Sequence, residues 1–130
     1  MPDEAPEREG SRSRELRELR ESVRTEGVLW GWGADGGLIP WEDRQGRLTL
    51  VFWRSAERAS EENADEDAGP GEGPVAHPVA VLLEKLGSWV EKGVAVFGLE
   101  SRGGRILYSL TPAEFERFLV TGRSTTGQLP

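Results

Sequence analysis

The spacing of apolar positions changes several times along the chain, and each change marks an element. Leu16, Leu19 and Val23 fall at i, i+3 and i+7, one narrow stripe on a helix starting near Ser13. Arg14/Glu18 and Arg17/Glu21 sit four apart on its solvated sides, where each pair contributes a few tenths of a kcal/mol. Gly27 is a natural stop. The pattern then alternates. Val28–Gly33 puts Trp30 and Trp32 on one face and Gly31 and Gly33 on the other, which predicts a strand. Ala34-Asp35-Gly36-Gly37 predicts a hairpin turn, because Asp-Gly and Gly-Gly supply the positive φ a tight turn needs. Gly37–Trp41 reads as a second strand, and Pro40, lacking an amide donor, puts it at an edge. After a turn over Glu42–Gly46, Arg47–Trp53 reads as a third strand. Leu48, Leu50 and Phe52 share one face and Val51 and Trp53 the other. A strand apolar on both faces is covered on both sides and lies near a sheet centre.

Ser55 caps a short helix through Ser60 that carries Ala56 and Ala59. Residues 61–74 combine acids with Gly69-Pro70-Gly71 and Gly73-Pro74, which predicts a flexible loop. A helix follows from Pro78, with Val79, Leu82, Leu83, Leu86 and Val90 at helical spacing and Trp89 beside them. Gly93 ends it. Val94–Leu99 and Arg105–Ser109 form a hairpin about Ser101–Gly104. Thr111 and Glu114 make a capping box with Pro112 at the first helical position, and Phe115, Phe118 and Leu119 anchor that last helix. The succession predicts an α+β fold: a single antiparallel sheet of about five strands, hairpin-linked three plus two, with three main helices and one short helix. Residues 13–120 form one domain. Residues 1–12 read as a disordered N-terminal arm and 121–130 as a flexible C-terminal tail.

Charge sharpens the picture. The net charge is -7, but Glu61, Glu62, Asp65, Glu66, Asp67 and Glu72 have no base among them. Without that segment the chain is nearly neutral. Neither part has the basic field that nucleic acid or an anionic membrane needs. There is no cysteine, so disulfides, thiolate catalysis and zinc–thiolate sites are excluded. No apolar run approaches the roughly 18 residues of a membrane span, and the charged N-terminus lacks a signal-peptide core. The expectation is a cytoplasmic protein, a monomer or weak homodimer. Basic residues that are nearly all Arg, with 17 Gly, suggest a GC-rich genome.

Little in the sequence carries chemistry. His77, the single histidine, stands beside the acidic loop and Pro78 and reads as an exposed linker residue without a positioned partner. The acidic run lacks the calcium-loop pattern and reads as a solvated charge run. Asp35, Glu42 and Asp43 lie in turns near tryptophans. Paired carboxylates beside Trp would suit glycoside chemistry, but ordinary turn chemistry explains them. Gly31–Gly37 lacks the Gly-Lys-Ser/Thr ending of a phosphate loop. No catalytic, cofactor or metal residue is assigned. Five tryptophans exceed what a core this small needs, so one or two should be at least half exposed, with Trp32 or Trp41 the first choice. The candidate binding surface is Trp30, Trp32, Trp41 and Trp53 with Asp35, Glu42 and Asp43, because exposed Trp rings anchor interfaces.

The order Trp-Gly-x-x-x-Asp-Gly, a Gly-terminated turn, an apolar strand ending in Trp and a short Ala-bearing helix resembles a family of small bacterial proteins known as domain of unknown function 2750. Val79–Val90 and Val94–Phe97 resemble its following helix and Val-rich strand. The resemblance covers about Leu29 to Leu119. It departs where the family often has a Pro near the end of the third strand, here Val51 or Arg54, and in the acidic insertion. It implies a small cytoplasmic bacterial domain with no assigned activity and no catalytic residue to carry over. The leading expectation is a non-enzymatic protein-interaction or regulatory domain, such as an immunity or adaptor protein, using an exposed part of the Trp-rich hairpins. The acidic loop would steer a basic partner. The alternatives are a small-ligand-binding domain with a Trp-lined pocket and a hydrolase using Asp35, Glu42 or Asp43.

Overall fold

Leu19 and Val23 on the first helix are fully buried against the sheet, as their spacing predicts. A computed structural model describes residues 4–34, 37–63 and 71–127 of the chain. Helix α1 covers Glu4–Glu26 and so takes in most of the segment read as an arm. Residues 1–3 lie outside the described residues. The strands are β1 Val28–Ala34, β2 Gly37–Leu38, β3 Trp41–Glu42, β4 Leu48–Phe52, β5 Gly73–Pro78, β6 Val94–Arg102 and β7 Arg105–Leu110. The other helices are α2 Ala56–Asn63, α3 Val79–Glu91 and α4 Pro112–Gly127. The capping box of α4 forms as read: the Thr111 amide donates to Glu114 (2.9 Å) and the Glu114 amide to Thr111 Oγ1 (3.2 Å). Helix α4 continues through the start of the expected tail, and residues 128–130 lie outside the described residues.

The expected single antiparallel sheet is not what forms. Among the described residues, four helices surround two sheets: an antiparallel three-stranded one, β2-β1-β5, and a mixed four-stranded one, β3-β4-β6-β7. Two physical causes separate them. Pro40 has no N–H for a ladder, and the expected second strand splits beside it. Gly37–Leu38 stays with β1, while Trp41–Glu42 crosses to pair with β4. The second cause is β5. Its first residues fall in the stretch read as loop, yet it pairs with β1 from Val28↔Pro78 to Gly33↔Gly73 and occupies that strand's other edge. Among the described residues a single bridge, Trp30↔Trp53, then joins the sheets. Strand β4 runs parallel to β6, a pairing that needs a long crossover, supplied here by α2, β5 and α3. Residues 64–70 of the acidic segment lie outside the described residues.

Strand β4 does lie inside its sheet, covered on both faces, as its pattern predicts. On one side Leu50 and Phe52 join Leu19, Leu29, Leu82, Phe97, Phe115 and Leu119 in the main core. Phe115 stacks on Phe97 (centroids 4.7 Å) and on Phe52 (5.4 Å), and each such buried ring contributes about 1.5–3 kcal/mol. His77 belongs to this side. It is 5% exposed, packed edge-on to Phe52 and against Trp89, so the exposed-linker reading is corrected. Residue alternation along β5 points it inward. On the other side Val51 and Trp53 join Trp32 and Ala59, with Trp30, Trp41 and Ile106 packed around them. This second cluster positions the candidate site.

Candidate functional site

No tryptophan of the chain is exposed. Trp53 is 1% and Trp32 8% exposed, and Trp30, Trp41 and Trp89 are half-buried. The expectation of a ring facing water at Trp32 or Trp41 is therefore overturned. The cause is mutual cover. The rings project from β1, β3 and the residue after β4 toward α2, whose Ala59 is small enough to let them close over it, and Trp41 lies tilted on Trp53 (5.8 Å, 58°). Three indole N–H groups find acceptors: Trp32 donates to Glu72 Oε1 (3.1 Å), Trp41 to Asn63 Oδ1 (3.2 Å) and Trp53 to Ser101 Oγ (2.9 Å). A buried indole N–H needs such a partner.

Two members of the acidic run are thus structural rather than solvated. Besides Glu72, Glu62 accepts from Ser101 Oγ (2.6 Å), Gly103 N (3.0 Å) and Gly104 N (3.1 Å). Gly103 and Gly104 both have positive φ, +61° and +82°, as the tight turn between β6 and β7 requires, and that turn aims their amides at the carboxylate. Burial opposes ionisation of Glu62, but the donors from Ser101, Gly104 and Gly103 outweigh it and hold its carboxyl below the ordinary value. Next to it, Glu100 is 3% exposed and adopts φ +59°, a strained conformation for a non-glycine residue. Burial pushes its carboxyl up, partly offset by the Arg54 amide (2.7 Å) and the Arg58 guanidinium (3.3 Å).

The Trp41 side of this cluster opens into a cleft of about 300 Å³. Trp41, Glu42, Asp43 and Arg44 form one wall and Gly104, Arg105 and Ile106 the other, with Thr49 between them. The structure therefore brings together Trp41, Glu42 and Asp43 of the predicted site residues. It places Trp32 and Trp53 in the packed cluster and Trp30 in the bridge between sheets. Asp35 lies outside the described residues. Asp43 is committed to its turn. It accepts from the Gln45 amide (2.9 Å), the Arg47 amide (2.8 Å) and Arg47 Nε (2.7 Å), and the Arg47 amide is the chief reason its carboxyl sits below the ordinary value.

Thr49 is the anomaly of the cleft. It is 1% exposed, and its Oγ1 has no hydrogen-bond partner among the described residues. A buried hydroxyl without a partner is costly and uncommon. A second cleft of about 210 Å³ lies between α1, α4 and β7, lined by Leu16, Arg20, Leu110 and Phe118 among others, but none of the residues proposed from the sequence as a binding surface lines it.

Comparison with family models and with curated proteins finds no match to this chain. Among the described residues no group of three or more His, Asp or Glu side chains could hold a metal ion, and none of their helices is long and apolar enough to cross a membrane. Thr49, Arg44, Arg105 and Ile106 were not singled out in the sequence. One signal for Thr49 was present: it is the only polar residue inside the otherwise apolar Leu48–Trp53. The opposite wall comes from residues more than fifty positions later and left no signal.

Proposed function

We propose that this protein is a non-enzymatic recognition domain whose binding site is the Trp41 cleft. The observation that carries the reading is the unpartnered Thr49 hydroxyl between two walls that also present an indole ring and charged side chains. Ligand pockets combine apolar walls with a few converging polar groups in this way. The reading moves the expected Trp-hairpin surface from an exposed ring to a concave site and favours a small ligand over a flat protein interface. A hydrolase is disfavoured, because the hydrogen bonds of Asp43 engage both of its oxygens within its own turn. The test is a screen of small aromatic fragments against ¹⁵N-labelled protein. Shifts clustering at the Trp41 indole and the Thr49 and Ile106 amides support the reading. Shifts confined to the cleft between α1 and α4 would sink it.

One observation favours a protein partner as a second reading. Ile39 is 40% exposed beside an exposed Pro40, immediately before Trp41. Capture experiments with wild type and Ile39→Asp would separate the two: a specific partner lost in the variant supports docking, and identical recovery argues against it.

A further inference from the structure

The charges around the Trp41 cleft are not balanced. Arg44 follows Asp43 in the turn between β3 and β4, Arg105 opens β7, and both line the cleft. Neither makes an ion pair with another described residue. The acids nearby oppose them only in part. Asp43 is neutralised by Arg47 at 2.7 Å. Glu42 also lines the cleft, so two guanidinium groups stand against one carboxylate outside an ion pair. The Gly103 and Gly104 amides are already taken by Glu62. What remains is an excess of one positive charge and the buried Thr49 hydroxyl, set against the Trp41 ring and Ile106.

We propose that the cleft binds a small organic anion made of a flat apolar body and a single carboxylate. This deepens the recognition reading above and rests on it. A guanidinium presents a planar fork of donors that matches a carboxylate, and such charge-assisted pairs are about twice as strong as neutral ones. The Thr49 hydroxyl gains the partner it lacks. The Trp41 ring, fixed by its bond to Asn63 and its contact with Trp53, is a rigid platform for a flat group. Small-molecule pockets span roughly 300–1,000 Å³, and this cleft lies at the small end. A singly charged ligand suits it better than a phosphate, because the Glu42 carboxylate stays on the wall. The chain's net charge of -7 does not forbid an anion, since distant charges are screened beyond about 10 Å at 0.1 M salt.

The experiment titrates ¹⁵N-labelled full-length protein with benzoate, benzamide and benzylamine, the same ring as an anion, a neutral molecule and a cation. Trp41→Phe identifies the indole signal. Benzoate is expected to shift Trp41, Thr49 and Ile106 and to bind about tenfold more tightly than benzamide, a margin in keeping with charge-assisted bonding. Changing both Arg44→Gln and Arg105→Gln should bring benzoate down to the affinity of benzamide without altering the rest of the spectrum. If benzamide or benzylamine binds in the cleft as well as benzoate, the anion proposal falls and the recognition site stands. If none of the three shifts these residues, both fall.

Discussion

Trp30 and Trp53 exchange two backbone hydrogen bonds, 2.8 and 2.7 Å long, and this single pair is the seam between the two sheets. The Trp53 side chain fills the second cluster and donates to Ser101. Trp53→Ala should cost about 3–5 kcal/mol, as for other large core truncations. Trp53→Phe should cost less, because the backbone seam and much of the packing survive. Urea unfolding of the two variants measures both.

Thr49→Val should behave in the opposite sense. Valine has nearly the same shape and no hydroxyl to leave unpartnered. The variant should gain about 1 kcal/mol or more in urea unfolding, the scale of an unsatisfied buried hydroxyl, and should lose affinity for benzoate. A more stable protein that binds less well is the pattern of a functional site. A Thr49→Val protein less stable than wild type would show that the hydroxyl has a partner after all.

Glu62 holds the turn between β6 and β7 to α2. Glu62→Gln weakens three hydrogen bonds to a charged acceptor and should cost roughly 1–3 kcal/mol. Its carboxyl is held below the ordinary value of 4.5 in the folded protein. The stabilisation is therefore complete above that pH and is lost as pH falls through the lower folded value. Unfolding followed from about pH 7 to about pH 3 should show this acid loss in wild type and less of it in Glu62→Gln.

His77 should titrate late on acidification. Burial against Phe52 and Trp89 disfavours its charged form, the Val75 carbonyl opposes that in part, and Lys85 adds to the depression, so its pKa lies below 6.5. Its contribution is intact above pH 6.5 and is lost as pH falls through the folded value. The chain has one histidine, so a single imidazole proton signal reports the midpoint directly. A midpoint at or above 6.5 would contradict the burial.

Gly33 marks the closest approach of β1 and β2. A Cβ there would collide with the Gly37 carbonyl oxygen, and backbone cannot step aside as a side-chain tip can. Gly33→Ala should detach β2, cost more than the 1–3 kcal/mol of ordinary overpacking, and shift the Leu38 amide in spectra of the native state.

Much of the local structure was legible in the sequence. The Leu16-Leu19-Val23 stripe, the two-faced Leu48–Trp53 strand, the capping box at Thr111 and the stop at Gly27 all depend on contacts within a few residues, and a local pattern suffices for those. The candidate site was half legible. Trp41, Glu42 and Asp43 were picked out by composition and turn position, but Arg105 and Ile106 reach the cleft only because β6 and β7 fold back beside β4.

What the tertiary structure alone decided is how those pieces pair. The same apolar strands can be arranged in one sheet or two, and alternation does not say which edge finds which neighbour. Strand β5 decided it by taking the free edge of β1, and the crossover through α3 made β4 and β6 parallel. The fate of the tryptophans follows from the same pairing. The sequence determined that large rings would gather on these hairpins. Burial of the rings depends on α2, Glu72, Asn63 and Ser101, groups distant in the chain that only the folded backbone brings to the indole nitrogens.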